Sequence, residues 1–307
     1  QEPLPGVAGT GSGEGRHPLL GQQLDTAAKQ LVFQNVIRAE SPAYLNDHRI
    51  FGAAVFPAAG YVEMALAAGA RAMGTARLAI QGVSIDQVLV LPPGKARHVQ
   101  VVLTPESPQR FGFQIFSLND ESDERPSWTQ HASGSLTSEV DDAEGQARDV
   151  QALRAACPDT LPVESLYEVF RQRGIDYGPG FQGMVEVCGR EGEALGSVRL
   201  PQDLAPASDP YCLHPVLLDA ALQVIAAAFP KQKSEHTFVP VRIESLRLCR
   251  PAEAELLSRA RLRPDGDTAV TTTADVELLT PRGDLVALVE GVTLRRISRK
   301  MLARRLQ

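Results

Sequence analysis

The run CLHPVLLDAALQVIAAAF, from Cys212 to Phe229, decides how this chain folds: it holds one carboxylate, Asp219, and no other Asp, Glu, Lys or Arg. Pro215 suits a first helical turn, and a helix apolar on every side belongs in a core. An ionised carboxylate is costly in such surroundings, so the group raises its pKa and keeps its proton. A neutral carboxylic acid in a dry place can hand a proton to a leaving group. A structural carboxylate satisfied by a backbone amide or an arginine is the other reading, and this helix alone does not choose. Gln223 lies one turn on and shares a face with Asp219. Its neutral amide can hydrogen-bond the carboxyl without ionising it, though an ordinary polar contact is its plainer role.

Outward from this helix the chain reads as two similar halves. Strand patterns follow it at FVPVRIESLRL (Phe238–Leu248), LLSRARLRP (256–264), AVTTTADVELLT (269–280) and LVALVEGVTLRRI (285–297). Earlier, PAAGYVEMALAAGARAMG (Pro57–Gly74) predicts another helix, with Ala58, Val62, Ala65 and Leu66 on one face and Pro57 at its start. Strands at HVQVVLT (98–104), FGFQIFSL (111–118) and SWTQHASGSL (127–136) come after it. A long helix wrapped by an antiparallel sheet, made twice, is α+β architecture. The polar, acidic stretch SEVDDAEGQARDVQ (Ser138–Gln151) separates the halves. The expected divisions are a linker at 1–16, one half at 17–140, a linker at 141–160, a second half at 161–298 and a tail at 299–307. The Gly- and Pro-rich opening and the basic close, RRISRKMLARR, read as cuts from a longer polypeptide.

Composition narrows the function. The chain has 307 residues and a formal net charge of -6, which gives no general attraction to nucleic acid or anionic membrane. The basic tail lacks interleaved aromatics and reads as solvated. The four cysteines form no CxxC, as suits reduced thiols in a cytoplasmic protein. No secretory signal precedes the first strands. The six histidines are scattered and predict no metal site, and no GxSxG, Walker or HExxH motif occurs.

Two further segments carry chemistry. In DHRIFGAAVFP (Asp47–Pro57), His48 lies on an extended stretch that leads to a helix start. Free N–H groups there would polarise a carbonyl, and a nearby imidazole could remove the adjacent proton. Gly52 would let a ligand approach the backbone closely, although a plain turn is an equal use for it. In GIDYGPGFQG (Gly174–Gly183), a literal GxGxxG at Gly178, Gly180 and Gly183 is accidental: a helical pattern precedes it and Pro179 interrupts it. The segment reads instead as a tight loop presenting Tyr177 and Phe181.

Together these motifs resemble the dehydratase domain of modular type I polyketide synthases. The resemblance rests on HPLLG (His17–Gly21), the HxxxGxxxxP pattern of His48, Gly52 and Pro57, and WTQHASG from Trp128. It rests further on the GxxYGPxF pattern of Gly174, Tyr177, Gly178, Pro179 and Phe181, and on HPVLLDAALQ with Asp219 and Gln223. The closing EGVTLRRIS also fits, so the likeness runs from about His17 to Ser298. It departs at Phe238-Val239-Pro240-Val241-Arg242, where many members carry a Leu-Pro-Phe-Ser-Trp-like strand that shapes the substrate tunnel.

The resemblance implies a double hotdog fold with the active site between the halves. It implies dehydration of a 3-hydroxyacyl thioester on an acyl carrier protein, with His48 as general base and Asp219 as general acid. Gly52, Pro57, Tyr177, Gly180, Phe181 and Gln223 are implied to bind or orient the substrate. No metal or organic cofactor is implied, the phosphopantetheine arm arriving with the carrier. Partners are the carrier protein, other domains of the megasynthase and a second copy in a homodimer. Arg171 and Arg173 are candidates to receive the acidic carrier. A double-bond isomerase, a hotdog thioesterase and a catalytically silent structural domain are the alternatives.

Overall fold

The computed structural model describes residues 17–119, 127–140, 147–205, 210–229, 236–264, 268 and 270–298. The expected linkers at 1–16 and 299–307, and residues 141–146 of the middle one, lie outside the described residues.

The first half opens with β1 (Gln22–Leu24) and β2 (Leu31–Ile37), then two short strands, β3 (His48–Ile50) and β4 (Ala53–Ala54). Helix α1 (Ala58–Met73) follows, with β5 (Leu78–Ile85), β6 (Arg97–Ser107), β7 (Arg110–Asn119) and β8 (Ser127–Thr137) after it. The connecting stretch is not featureless. It carries the exposed helix α2 (Val150–Ala155), whose Ala152 N–H donates to the capping Asp149 carboxylate at 3.0 Å, and then β9 (Thr160–Leu161).

The second half begins with α3 (Val163–Gln172), β10 (Ile175–Tyr177), β11 (Met184–Arg190) and β12 (Glu193–Arg199). Helix α4 (Pro215–Gln223) is next, followed by β13 (Thr237–Leu248), β14 (Glu255–Arg263), β15 (Thr271–Leu279) and β16 (Leu285–Ile297). Among the described residues no helix is long and apolar enough to cross a membrane.

A 13-stranded antiparallel sheet runs β1-β2-β6-β7-β8-β5-β13-β16-β15-β14-β12-β11-β9. Outward from the β5–β13 seam, the order is β5-β8-β7-β6-β2-β1 on one side and β13-β16-β15-β14-β12-β11 on the other, where β9 adds one further edge strand. Each half puts the strand after its helix at the seam and its last strand beside that. The same topology is therefore built twice, each copy around its own helix. The fold is α+β, a double hotdog.

The period of α1 predicts one apolar face, but every residue from Ala59 to Gly69 is buried. The sheet covers one side of the helix and α4 covers another, so no side is left for water. Gly74, at φ 67°, ends the helix and donates to the Ala70 carbonyl at 2.9 Å. All nine residues of α4 are buried too, and the chain continues as a 3-10 turn, Val224–Ala228. That turn lies hard against β12: a Cβ at Gly196 would sit 2.7 Å from a Val224 methyl.

Glu63, fully buried in α1, ties the halves together. The Nδ1 of His17 accepts from Leu19 and Leu20 N–H at 3.2 and 3.0 Å, so the ring proton sits on Nε2 and is donated to Glu63 at 2.9 Å. Cys212 and Leu213 N–H also donate to this carboxylate, each at 2.9 Å. One side chain of the first half thus holds the segment that enters α4. Replacing it by alanine strands three donors in the interior. Urea unfolding of Glu63→Ala is expected to show a loss of about 3–5 kcal/mol, and Glu63→Gln, which keeps an acceptor oxygen, a smaller loss. A change in the alanine variant below about 1 kcal/mol would refute the tie.

Candidate active site

The halves meet a second time in a three-stranded sheet, β10-β3-β4. Ile175 pairs with Ile50, Asp176 with Arg49 and Tyr177 with His48. The strand before the first helix therefore lies beside the loop after α3. This pairing sets Tyr177 next to His48, with ring centroids 5.7 Å apart.

His48 is 7% exposed, and its Nδ1 lies 2.8 Å from the Val55 carbonyl oxygen. A carbonyl only accepts, so Nδ1 carries the proton and the neutral ring keeps its lone pair on Nε2. Phe181 packs against the imidazole at 5.1 Å and fixes its plane.

Asp219 is equally buried, at 7% exposure, on α4. Gln223 Nε2 donates to its Oδ2 at 2.9 Å and to the Phe181 carbonyl at 3.0 Å. Burial pushes the Asp219 carboxyl up from its ordinary pKa, while nearby His48 and the Gln223 bond pull it partly back. The Tyr177 phenol is also pushed up, first by burial, then by Asp219 and Tyr167, so it stays a donor at neutral pH.

His48, Tyr177, Asp219 and Gln223 all line one chamber. Its other walls are mostly apolar: Phe56 and Tyr61 from the first half, Leu222, Ile225 and Phe229 from the second. Among the described residues no cluster of three or more His, Cys, Asp or Glu side chains is placed to hold a metal ion.

Other expected residues fall elsewhere. Gly52 occupies an exposed turn between β3 and β4 at φ 86°, outside the chamber lining, because that tight turn needs a left-handed residue. The helix start faces the chamber six residues later, at Ala58, which lines it. Pro57 is buried as the N-cap of α1 and does not line the wall. Gly180 is buried against Asp47, and Phe181 stands behind the imidazole rather than at the wall. Arg171 is engaged by Glu168 and lies 4.0 Å from Asp176, and of the expected arginine pair only Arg173 lines the chamber, as Arg295 and His236 also do. Phe238 to Val241, where the sequence departs from the family strand, form part of the wall beside a register shift between Pro240 and Arg242.

Sequence reasoning missed Ala58, Tyr167 and Asp47. The hydroxyl of Tyr167 accepts from Met184 N–H at 3.0 Å close to Asp219, and nothing in its helical spacing announces that. Asp47 had one signal, its place directly before His48.

Comparison with known proteins identifies the family. Residues 17–118 match the family described as polyketide synthase dehydratase domain, and residues 145–304 match polyketide synthase dehydratase N-terminal domain. Polyketide synthase GfsE of Streptomyces halstedii is 33% identical over 302 residues, covering 97% of this chain and 8% of that protein. Mycoketide-CoA synthase of Mycobacterium tuberculosis is 31% identical over 271 residues, covering 86% of this chain and 6% of that protein. The chain thus spans only a small part of the curated relatives it matches. The dehydratase domain from the CurF module of curacin polyketide synthase superposes with a TM-score of 0.85 at 33% identity, covering 92% of this chain and 100% of that one. The CurK dehydratase, 31% identical over 92% of this chain and 99% of its own, has been solved as inactive mutants, one changed from Asp to Asn (TM-score 0.83) and one from His to Phe (0.84). The chain belongs to the polyketide synthase dehydratase family, whose domains are hydro-lyases of polyketide assembly.

Proposed function

We propose that this chain removes water from a 3-hydroxyacyl thioester carried on an acyl carrier protein, leaving the 2,3-enoyl thioester. The observation that carries the reading is a buried carboxyl with a raised pKa lining the same chamber as an imidazole whose free nitrogen is Nε2. The inactivity of the CurK dehydratase after single Asp and His changes supports the same two residue types.

His48 Nε2 takes a proton from the carbon next to the thioester carbonyl. The electron pair moves toward the carbonyl oxygen, where the free N–H groups at the start of α1, near Ala58, stabilise the developing charge. As the carbon–carbon double bond forms, the bond to the 3-hydroxyl breaks and Asp219 donates the proton that lets it leave as water. The two groups are then a charged imidazolium and a carboxylate, and one proton returned from His48 to Asp219 resets the pair. Tyr177 and Gln223 orient the hydroxyl and the acid. The thioester acidifies its own α-carbon, so this route uses no metal or organic cofactor. The pantetheine arm enters past Arg173, Arg295 and His236, which suit its phosphate and the acidic carrier.

Mass spectrometry of a 3-hydroxyacyl carrier protein incubated with the domain is expected to show loss of one water. No mass change, or release of the acyl group, would overturn the reading. His48→Ala and Asp219→Asn should each fold and lose about 100- to 10,000-fold in rate.

The rate should also fall at alkaline pH as Asp219 ionises, at a pH above the ordinary carboxylate range. An alkaline plateau with no fall would remove Asp219 from the role of acid.

Because the Asp219 pKa is raised on folding, the folded state binds its proton more tightly, and that stability is lost as pH rises through the folded pKa. Asp219→Asn is therefore expected to raise Tm at pH 8 by about 2–4 °C. Thermal scans showing a lower Tm would contradict a strained, buried carboxyl.

A further inference from the structure

We infer that Asp47 is a positioning residue that sets the base of the first half in register with the acid of the second, an inference that rests on the dehydratase reading above. Asp47 closes the 3-10 turn Ala43–Asp47 and directly precedes His48 on β3. Both of its acceptors face the loop that follows β10. Its carboxylate receives Gly180 N–H at 2.8 Å, and its main-chain carbonyl receives Gly178 N–H at 2.7 Å.

The loop is shaped to admit this side chain. A Cβ at Gly178 would lie 2.5 Å from the Asp47 carboxyl carbon, and one at Gly180 would lie 2.9 Å from its Oδ2. Two glycines in three residues are thus explained by one carboxylate. No dinucleotide and no loop flexibility is needed to account for them.

What the loop carries gives the contact its purpose. Tyr177, just before Gly178, is the strand partner of His48, and Phe181, just after Gly180, packs on its ring. The Phe181 carbonyl accepts from the same Gln223 nitrogen that donates to Asp219. A continuous path therefore runs from the residue beside the base, through two glycine amides and the Phe181 peptide, to the amide that holds the acid. Loss of the Asp47 carboxylate frees the loop, and with it the spacing of Nε2 from the Asp219 carboxyl. Small misplacements of paired catalytic groups cost rate far more than binding.

The test compares wild type, Asp47→Ala and Asp47→Asn with a 3-hydroxybutyryl carrier protein, together with hydrogen exchange at the Gly180 amide read by NMR without substrate. Asp47→Ala is expected to lose about tenfold or more in kcat with KM within about twofold, and to exchange Gly180 faster. Asp47→Asn keeps an acceptor oxygen and should retain kcat within about threefold, with Gly180 still protected. Gly180→Ala, whose Cβ displaces the carboxylate, should lower kcat likewise, and serves if Asp47→Ala does not fold. Wild-type kcat in Asp47→Ala or Gly180→Ala would overturn the inference. So would a kcat loss no larger than the loss of folded protein, or unchanged Gly180 exchange in Asp47→Ala. If wild type itself fails to release water, the dehydratase reading falls instead, and the exchange data still report on the tie.

Discussion

The antiparallel pairing of β5 with β13, which sets Leu78 opposite Leu248 and Ile80 opposite Leu246, joins two half-sheets edge to edge. Either strand alone would be an open edge with a row of unmet backbone groups. Joined, they form one continuous surface, and the helices that each half wraps are brought into contact with one another. The Glu63 carboxylate and the β3–β10 pairing join the same two halves at further places. The chamber lies in the space the two copies leave between them, which is why neither half could enclose it alone.

An apolar enclosure has two electrostatic consequences. It raises the Asp219 carboxyl by withholding water, which keeps available the proton that the proposed chemistry needs. It also makes every unsatisfied polar atom expensive, and the buried Oε1 of Gln223 is one that no protein group among the described residues satisfies. Gln223 is a fitting neighbour because a neutral amide bonds the acid without compensating a full negative charge. An arginine in its place would hold the carboxylate ionised. The Val55 carbonyl does a similar service for His48 by fixing the tautomer, so the lone pair sits at Nε2 without a second carboxylate to orient the ring.

In the proposed reaction the two copies divide the labour. The first supplies the imidazole and the start of α1, and the second supplies the acid, Tyr177 and much of the chamber wall. The wall differs from the family pattern at Phe238-Val239-Pro240-Val241, where Pro240 sits at a shift of strand register. Pro lacks an N–H to offer a neighbouring strand, so a break in the ladder is a place where it fits. The departure thus bears on the shape of the chamber, while the contacts of His48 and Asp219 are made by other elements.

Much of the fold was legible in the residues themselves. The strand pattern at FGFQIFSL gave β7, the apolar run around Asp219 gave α4, and the repeated order of helix and strands gave the two halves. A lone carboxylate in apolar sequence, and a histidine ahead of a helix start, marked the candidate acid and base. What one-dimensional reading could not supply was distance. Gly52 looked like the ligand-facing backbone because it lay between His48 and the helix, yet the β3–β4 turn points it at solvent and leaves Ala58 at the chamber. Arg171 and Arg173 look alike in sequence, but only the fold shows the first engaged by acidic neighbours. Local periodicity is set by each residue's own side chain, so sequence determined the elements and the candidate acid and base. Which nitrogen is free, which helix start faces the chamber and what holds the two halves in register depend on contacts that only folding makes. Some of those contacts join residues over a hundred positions apart, and only the tertiary structure decided them.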